Sequence, residues 1–208
     1  NLTKNGLGTL TLTRAQRYTG LTTVTAGTLR EGVASALSSG PLTVNGGTFD
    51  LATFSDTVGA VIIGANGGSI TSSTGVLTGT SYTFNNTTTA SVSAILAGGV
   101  NLTQNGVGGV TTLSGVNTYT GITTITAGTL SVGTIGNGGV AGNLGQATNA
   151  GANLVLGGGT LQYTGATAST DRNFTLNTGT TSTIEVSTNT LTISGASTNT
   201  TGALTKTG

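Results

Sequence analysis

Residues 117–133, NTYTGITTITAGTLSVG, restate residues 16–32, QRYTGLTTVTAGTLREG, about a hundred positions further along the chain. The match is wider than that phrase, because residues 2–32 align with 102–133 with one inserted residue. A weaker echo links LTVNGGTFDL at 42–51 to LVLGGGTLQY at 154–163. The chain closes on ALTKTG at 203–208, a third version of the opening NLTKNG. A unit of roughly 100 residues that starts and stops in the same phase is the pattern of a tandem array. The chain therefore divides into a first unit, 1–100, and a second, 101–208, that ends on the start of a third.

The residues available to fill those units narrow the fold. Of 208 residues, 37 are Gly and 49 are Thr, with one Pro and no His, Cys, Met or Trp. Charged residues make up 5%, against about a quarter in ordinary globular chains. Disordered chains are rich in charge and poor in β-branched residues. Here Thr runs with Val, Ile and Leu, as in TLTLT (9–13) and STIEVSTNTLTIS (182–194), which favours pleated strands over helices. The chain reads as ordered and all-β.

Candidate strands fall at 9–13, 21–29, 42–51, 58–63, 69–72, 80–84 and 91–96, spaced about ten residues apart and mostly divided by Gly or Asn. Two architectures fit: two tandem immunoglobulin-like β-sandwiches, or a parallel β-solenoid whose coils stack on one another. A sandwich core about 10 Å thick needs filling from two faces, and four Tyr with four Phe is thin for two such domains. A solenoid interior is narrower and is filled by ladders of like residues. Leu21, Val24 and Leu29 return as Ile122, Ile125 and Leu130 with shape and class preserved, so these positions, with Leu10, Leu12 and Leu113, are expected to face inward. Gly20 and Gly27 return as Gly121 and Gly128, as expected where a corner needs positive φ. The solenoid is the favoured reading. With 20–25 residues per coil it makes about nine coils and a rod on the order of 45 Å long. Neither end carries a distinct polar lid, so more of the same chain or a neighbouring copy is expected to cover both.

The run 8–32, GTLTLTRAQRYTGLTTVTAGTLREG, together with 108–133, resembles the autotransporter-associated β-strand repeat. That family sets a Gly-Thr-Leu-Thr-Leu strand before a Ser-Gly-x-Asn-x-Tyr-x-Gly turn and closes on Ala-Gly-Thr-Leu. Ser114, Gly115, Asn117, Tyr119 and Gly121 match the turn, whereas the first copy has Arg14 at the place of Gly115 and Gln16-Arg17 at that of Asn117-Thr118. The resemblance implies a right-handed parallel β-helix and a bacterial, extracellular, non-enzymatic stalk, adhesin or fibre. An export barrel, if there is one, is expected outside this sequence.

The chemistry-bearing residues are few. The five carboxylates are Glu31, Asp50, Asp56, Asp171 and Glu185. Asp50 and Asp56 flank LATFS and read as solvated loop acids, since the matching stretch of the second unit, QYTGATA, has none. No catalytic constellation is expected, and without His or Cys only hard, oxygen-bound ions remain as metals. GNGGVAGNLG at 136–145 has the glycines of a calcium roll without its Asp, and of a phosphate loop without its Lys; it reads as a flexible corner. No cofactor is expected. A formal net charge of +1 gives no basic field for nucleic acid. The longest apolar run, VGAVIIG at 58–64, is far short of a membrane span. Without an initiator Met or leader, the sequence reads as a processed product or a piece of something longer. Sequons at Asn1, Asn85, Asn86, Asn101, Asn173 and Asn199 are expected by chance in so much Asn and Thr, and a bacterial source leaves them bare.

Basic residues crowd into the first 30 positions and read as solvated corner charge, with Arg14 and Arg17 the candidates for lateral contact with a neighbour. The expected partners are further copies of the chain, end to end and side by side, with surface glycans second. The alternatives are direct adhesion to glycans or host surfaces, ice binding through Thr-x-Thr pairs, which look irregularly spaced, and polysaccharide cleavage, for which acids are lacking.

Overall fold

A computed structural model of the chain describes residues 1–198 and 200–208, and the sequon at Asn199 lies outside them. Its strands are short, mostly three or four residues, and fall into two long sheets. The first sheet stacks nine strands: Leu2–Lys4, Thr22–Val24, Leu42–Val44, Ala60–Ile63, Ser81–Phe84, Leu102–Gln104, Thr123–Ile125, Leu154–Leu156 and Thr175–Leu176. The second stacks ten: Thr9–Leu12, Thr28–Glu31, Thr48–Asp50, Gly68–Thr71, Thr89–Val92, Val110–Leu113, Thr129–Val132, Thr160–Tyr163, Thr181–Val186 and Ala203–Thr207. A partial third side is built from Asp56–Thr57, Val76–Thr78 and Ile95–Ala97. A further pair, Ala168–Thr170 with Leu191–Ile193, lies in the second unit.

Every strand ladder among the described residues is parallel. The architecture is a parallel β-solenoid of about ten turns, and the antiparallel sandwich alternative falls. Leu2, Thr22, Leu42, Val61, Tyr82, Leu102 and Thr123 are successive partners in the first sheet, so each turn takes 19 to 21 residues. The next step, Thr123 to Leu154, takes 31.

Alternation along each strand decides what enters the core. In the first sheet Val24, Val44, Ile63, Phe84, Ile125 and Leu156 form one buried ladder, with Lys4 and Gln104 on the same column. In the second sheet Leu29, Phe49, Ile70, Val92, Leu113, Val132 and Tyr163 form another. Like residues stack on like, so each side chain is covered by its counterparts one turn above and below.

Leu12, Val24, Leu29, Leu113, Ile125 and Leu130 are buried. Leu21 and Ile122 are not core: they precede strands whose inward residues are Thr22 and Val24, or Thr123 and Ile125, so they point outward, and Leu21 is 38% exposed. Positions 21 and 24 are an odd number of residues apart, and a period of two cannot send both inward. Leu10 stacks on Leu29 but belongs to the first turn and is 39% exposed.

The expected strands at 21–29 and 42–51 are each two strands broken by a corner. Gly27 makes one such corner with φ +60°, and Gly128 repeats it at +64°. The φ of Gly20 and Gly121 is not in the left-handed region, but a Cβ on Gly121 would overlap the Val100 carbonyl of the preceding turn, whereas one on Gly20 would meet chiefly the side chain of Asn1. The closing echo also changes place: Ala203–Thr207 lies in the second sheet, whereas its sequence counterparts Leu2–Lys4 and Leu102–Gln104 lie in the first.

Gly121→Ala should lower stability by about 1–3 kcal/mol through that overlap. Gly8→Ala, where nothing lies within 4 Å of the added carbon, should be neutral or stabilising by up to about 1 kcal/mol. Urea unfolding of the two variants checks the contrast.

Candidate functional site

The repeated phrase builds a corner. Tyr119 is fully buried and its hydroxyl meets Thr123 Oγ1 at 2.8 Å; in the first unit Tyr18 meets Thr22 at 2.6 Å. The Tyr and the Thr four residues on are therefore one interior hydrogen-bonded pair, and burial pushes the Tyr119 phenol well above its usual pKa. Buried Asn117 closes the same corner: its Oδ1 accepts from Leu96 N at 2.9 Å and its Nδ2 donates to Asn143 O at 2.8 Å. In the first unit, the Gln16 side chain bonds only locally, its Nε2 donating to Arg14 O at 2.8 Å.

The charged residues are placed differently from the expectation of solvated loops. Lys4 is buried and its Nζ donates to the carbonyls of Gly6 at 2.6 Å and Ala26 at 3.0 Å. Gln104, its second-unit counterpart, is fully buried between Phe84 and Ile125, and neither amide atom has a protein partner. Arg172 is also buried. Its guanidinium donates to the carbonyls of Gly136 at 2.9 Å, Gly145 at 2.8 Å and Ala147 at 3.3 Å. Asp171 accepts from Gly138 N at 2.8 Å. The glycine-rich stretch 136–145 is thus no flexible corner but an inserted loop, the source of the 31-residue turn, braced from behind by an arginine. Charge sitting on carbonyls satisfies a corner that has few side chains of its own.

Asp56 is buried as well, not a solvated loop acid: its Oδ2 accepts from Leu37 N at 2.8 Å and its Oδ1 from Thr57 N at 2.6 Å. Asp50 stays near the surface, with Arg30 Nε 3.5 Å from its Oδ2. Glu31 is 1% exposed and as a carboxylate finds no hydrogen-bond donor for either oxygen. Strand alternation forces it inward beside Leu29, at a place where the second unit has Val132. Burial, then the neighbouring Asp56 carboxylate and Asp50, push Glu31 up to about 9. Among the described residues no group of three or more His, Cys, Asp or Glu is placed to hold a metal ion.

The outer surfaces carry what remains. Arg14 and Arg17 are exposed. Asn86 is fully buried, its Nδ2 donating to Thr88 O at 2.8 Å, so that sequon is closed to modification. On the second sheet, Gly46 and Gly68 leave a hollow of about 570 Å³ edged by Asn66, Ser69, Ser91 and Thr112. On the first sheet, register places Thr3, Thr23, Thr43, Ile62, Thr83, Thr103, Thr124, Val155 and Thr175 in one outward column. A search for Thr-x-Thr pairs misses it, because the residue two places on is as often Asn, as at Asn45, Asn85, Asn105 and Asn177. The recurrence of Thr at 3, 23, 43, 83 and 103 is the signal that finds it.

A sparsely charged solenoid with patterned faces and repeat-built corners defines the class: a stacked tandem-repeat protein. The family model for the passenger-associated-transport-repeat matches residues 2–30 and 102–132, the two stretches that carry the corner. A curated relative, the Adhesin BmaC autotransporter of Brucella suis biovar 1 (strain 1330), is 43% identical over 186 residues, 84% of this chain. The chain spans 5% of that relative's length. No solved structure matches the chain at a significant level. The chain carries two copies of an autotransporter passenger repeat.

Two outcomes are expected. Gln104→Leu removes two unpartnered amide atoms from an apolar ladder and should raise stability by about 1–2 kcal/mol in urea unfolding. Glu31 holds its proton in the folded state long after the unfolded chain has lost it, so the folded state binds more protons between roughly pH 4.5 and 9. Stability should be fully present below that window and fall as pH rises through it. Glu31→Gln should flatten the slope, and an unchanged slope would contradict the buried neutral carboxyl.

Proposed function

We propose that this chain is a length of non-enzymatic rod on the outside of a bacterial cell, a stalk or fibre segment in an adhesin-type surface protein. The observation that carries the reading is the unbroken parallel register: each turn presents its backbone donors and acceptors to the next, so length is gained by adding turns without a new core. Support comes from the matched passenger repeat and from a relative named as an adhesin autotransporter. The repeats align with an adhesin class and not with an enzyme class, and the few acids are spent on structure: Asp56 on a corner, Asp171 on a loop. Copies associate with one another to thicken the rod into a filament or matrix.

Direct contact with glycans is the second reading. The hollow at Gly46 and Gly68 favours it, being uncharged and rimmed by hydroxyl and amide groups that suit neutral sugars. Displaying the chain on a non-adherent bacterium behind an export barrel tests both. Rods projecting from the cell, with clumping or attachment above that of the barrel alone, are expected. Compact knobs without added attachment would end the stalk reading. Attachment abolished by free neutral oligosaccharide would favour the second.

A further inference from the structure

The chain's charge is not spread evenly over its faces. Arg30, Asp50 and Glu185 stand on the second sheet, Asp171 and Arg172 serve the inserted loop, and Arg14 and Arg17 sit at the corner after the first turn. Lys4 is turned into the core. The outer face of the first sheet is left with no charge: its central column is Thr at seven of nine rungs and Ile or Val at the other two. The residues flanking that column on either side, such as Pro41 and Asn45 or Asn101 and Asn105, are uncharged too.

We propose that this face is a self-docking surface, on which two copies of the chain pack their threonine columns against each other. The proposal rests on the reading above that copies associate, and it names the face that does so. Three observations select a second copy as the occupant. The column repeats at the strand spacing of about 4.8 Å, and another copy carries that same period by construction, so a match at one rung is a match at all nine. Absence of charge removes the repulsion that identical surfaces otherwise meet. The area is also sufficient. Nine rungs by about five residues, the three or so of each strand with one flanking residue on either side, give roughly 700 Å² per partner, or about 1,400 Å² in all, within the range of stable protein interfaces. β-branched side chains held in one rotamer interdigitate with little ordering, as in the dry seams between stacked sheets. Such a contact is isologous, each copy offering the same patch.

Sedimentation equilibrium on the intact chain tests this. The wild type should form a dimer whose association constant is unchanged in about 1 M salt, where charge is screened within about 3 Å. Thr83→Lys with Thr103→Lys brings four cations together across the contact and should weaken association about a hundredfold or more. Thr23→Lys with Thr43→Lys is the second pair, in case the first fails to fold, and circular dichroism confirms native strand content in each. Thr9→Lys with Thr11→Lys, exposed on the second sheet, should leave the dimer intact. A wild type that stays monomeric at the highest concentration reached overturns the proposal, as does equal loss from the second-sheet pair. Binding of a monomeric wild type to an insoluble neutral polysaccharide, lost in Thr83→Lys, would assign the face to a glycan and also overturn it. In each of these cases the rod itself, seen by imaging, still stands or falls separately.

Discussion

Backbone hydrogen bonding between parallel turns is the constraint from which the rest of this molecule follows. Neighbouring strands must lie about 4.8 Å apart and in register, so whatever side chain one turn sends inward, the next turn must cover with something of similar size. The result is the pair of interior ladders, one running from Val24 to Leu156 and the other from Leu29 to Tyr163. The same rule explains how a chain with so little aromatic mass builds a core. Tyr82, Tyr119, Tyr163, Phe49 and Phe84 are all fully or almost fully buried, each filling the slim interior where a sandwich of this length would be starved.

Tight stacking leaves no room for side chains at corners, which accounts for the glycine content better than conformational freedom alone. Gly27 and Gly128 do need their left-handed backbone, but Gly115 and Gly121 are held to glycine by the carbonyls of the turn beneath. Where a corner is too irregular for glycine to satisfy, a buried cation takes over. Arg172 gathers the carbonyls of the inserted loop, and Lys4 does the same on a smaller scale at the first corner.

The architecture was legible in the sequence because it is periodic. Repeated phrases, short β-branched runs and a poverty of aromatic residues together favour a stacked coil. What escaped was anything that depends on strand phase. Leu21 and Ile122 look like core by conservation of shape between the two units, yet an odd spacing from Val24 and Ile125 turns them outward. The fate of the acids escaped for a similar reason. Glu31 and Asp56 are unremarkable in a string of letters, and only the fold carries both inside and sets Glu31 beside Asp56. The threonine column was hidden by its own second residue, which varies among Asn, Thr and Gly while the first holds its place.

Turn length has a mechanical meaning. Strands lie across the rod, so a pull on a loose end peels one coil at a time, breaking a few hydrogen bonds in sequence and sparing those further in. A regular turn of about 20 residues pays out on the order of 70 Å of extended chain when released, and the 31-residue turn about half as much again. A solenoid of this design, if pulled, yields in small, repeatable steps, and the arginine-braced coil is the longest among the described residues.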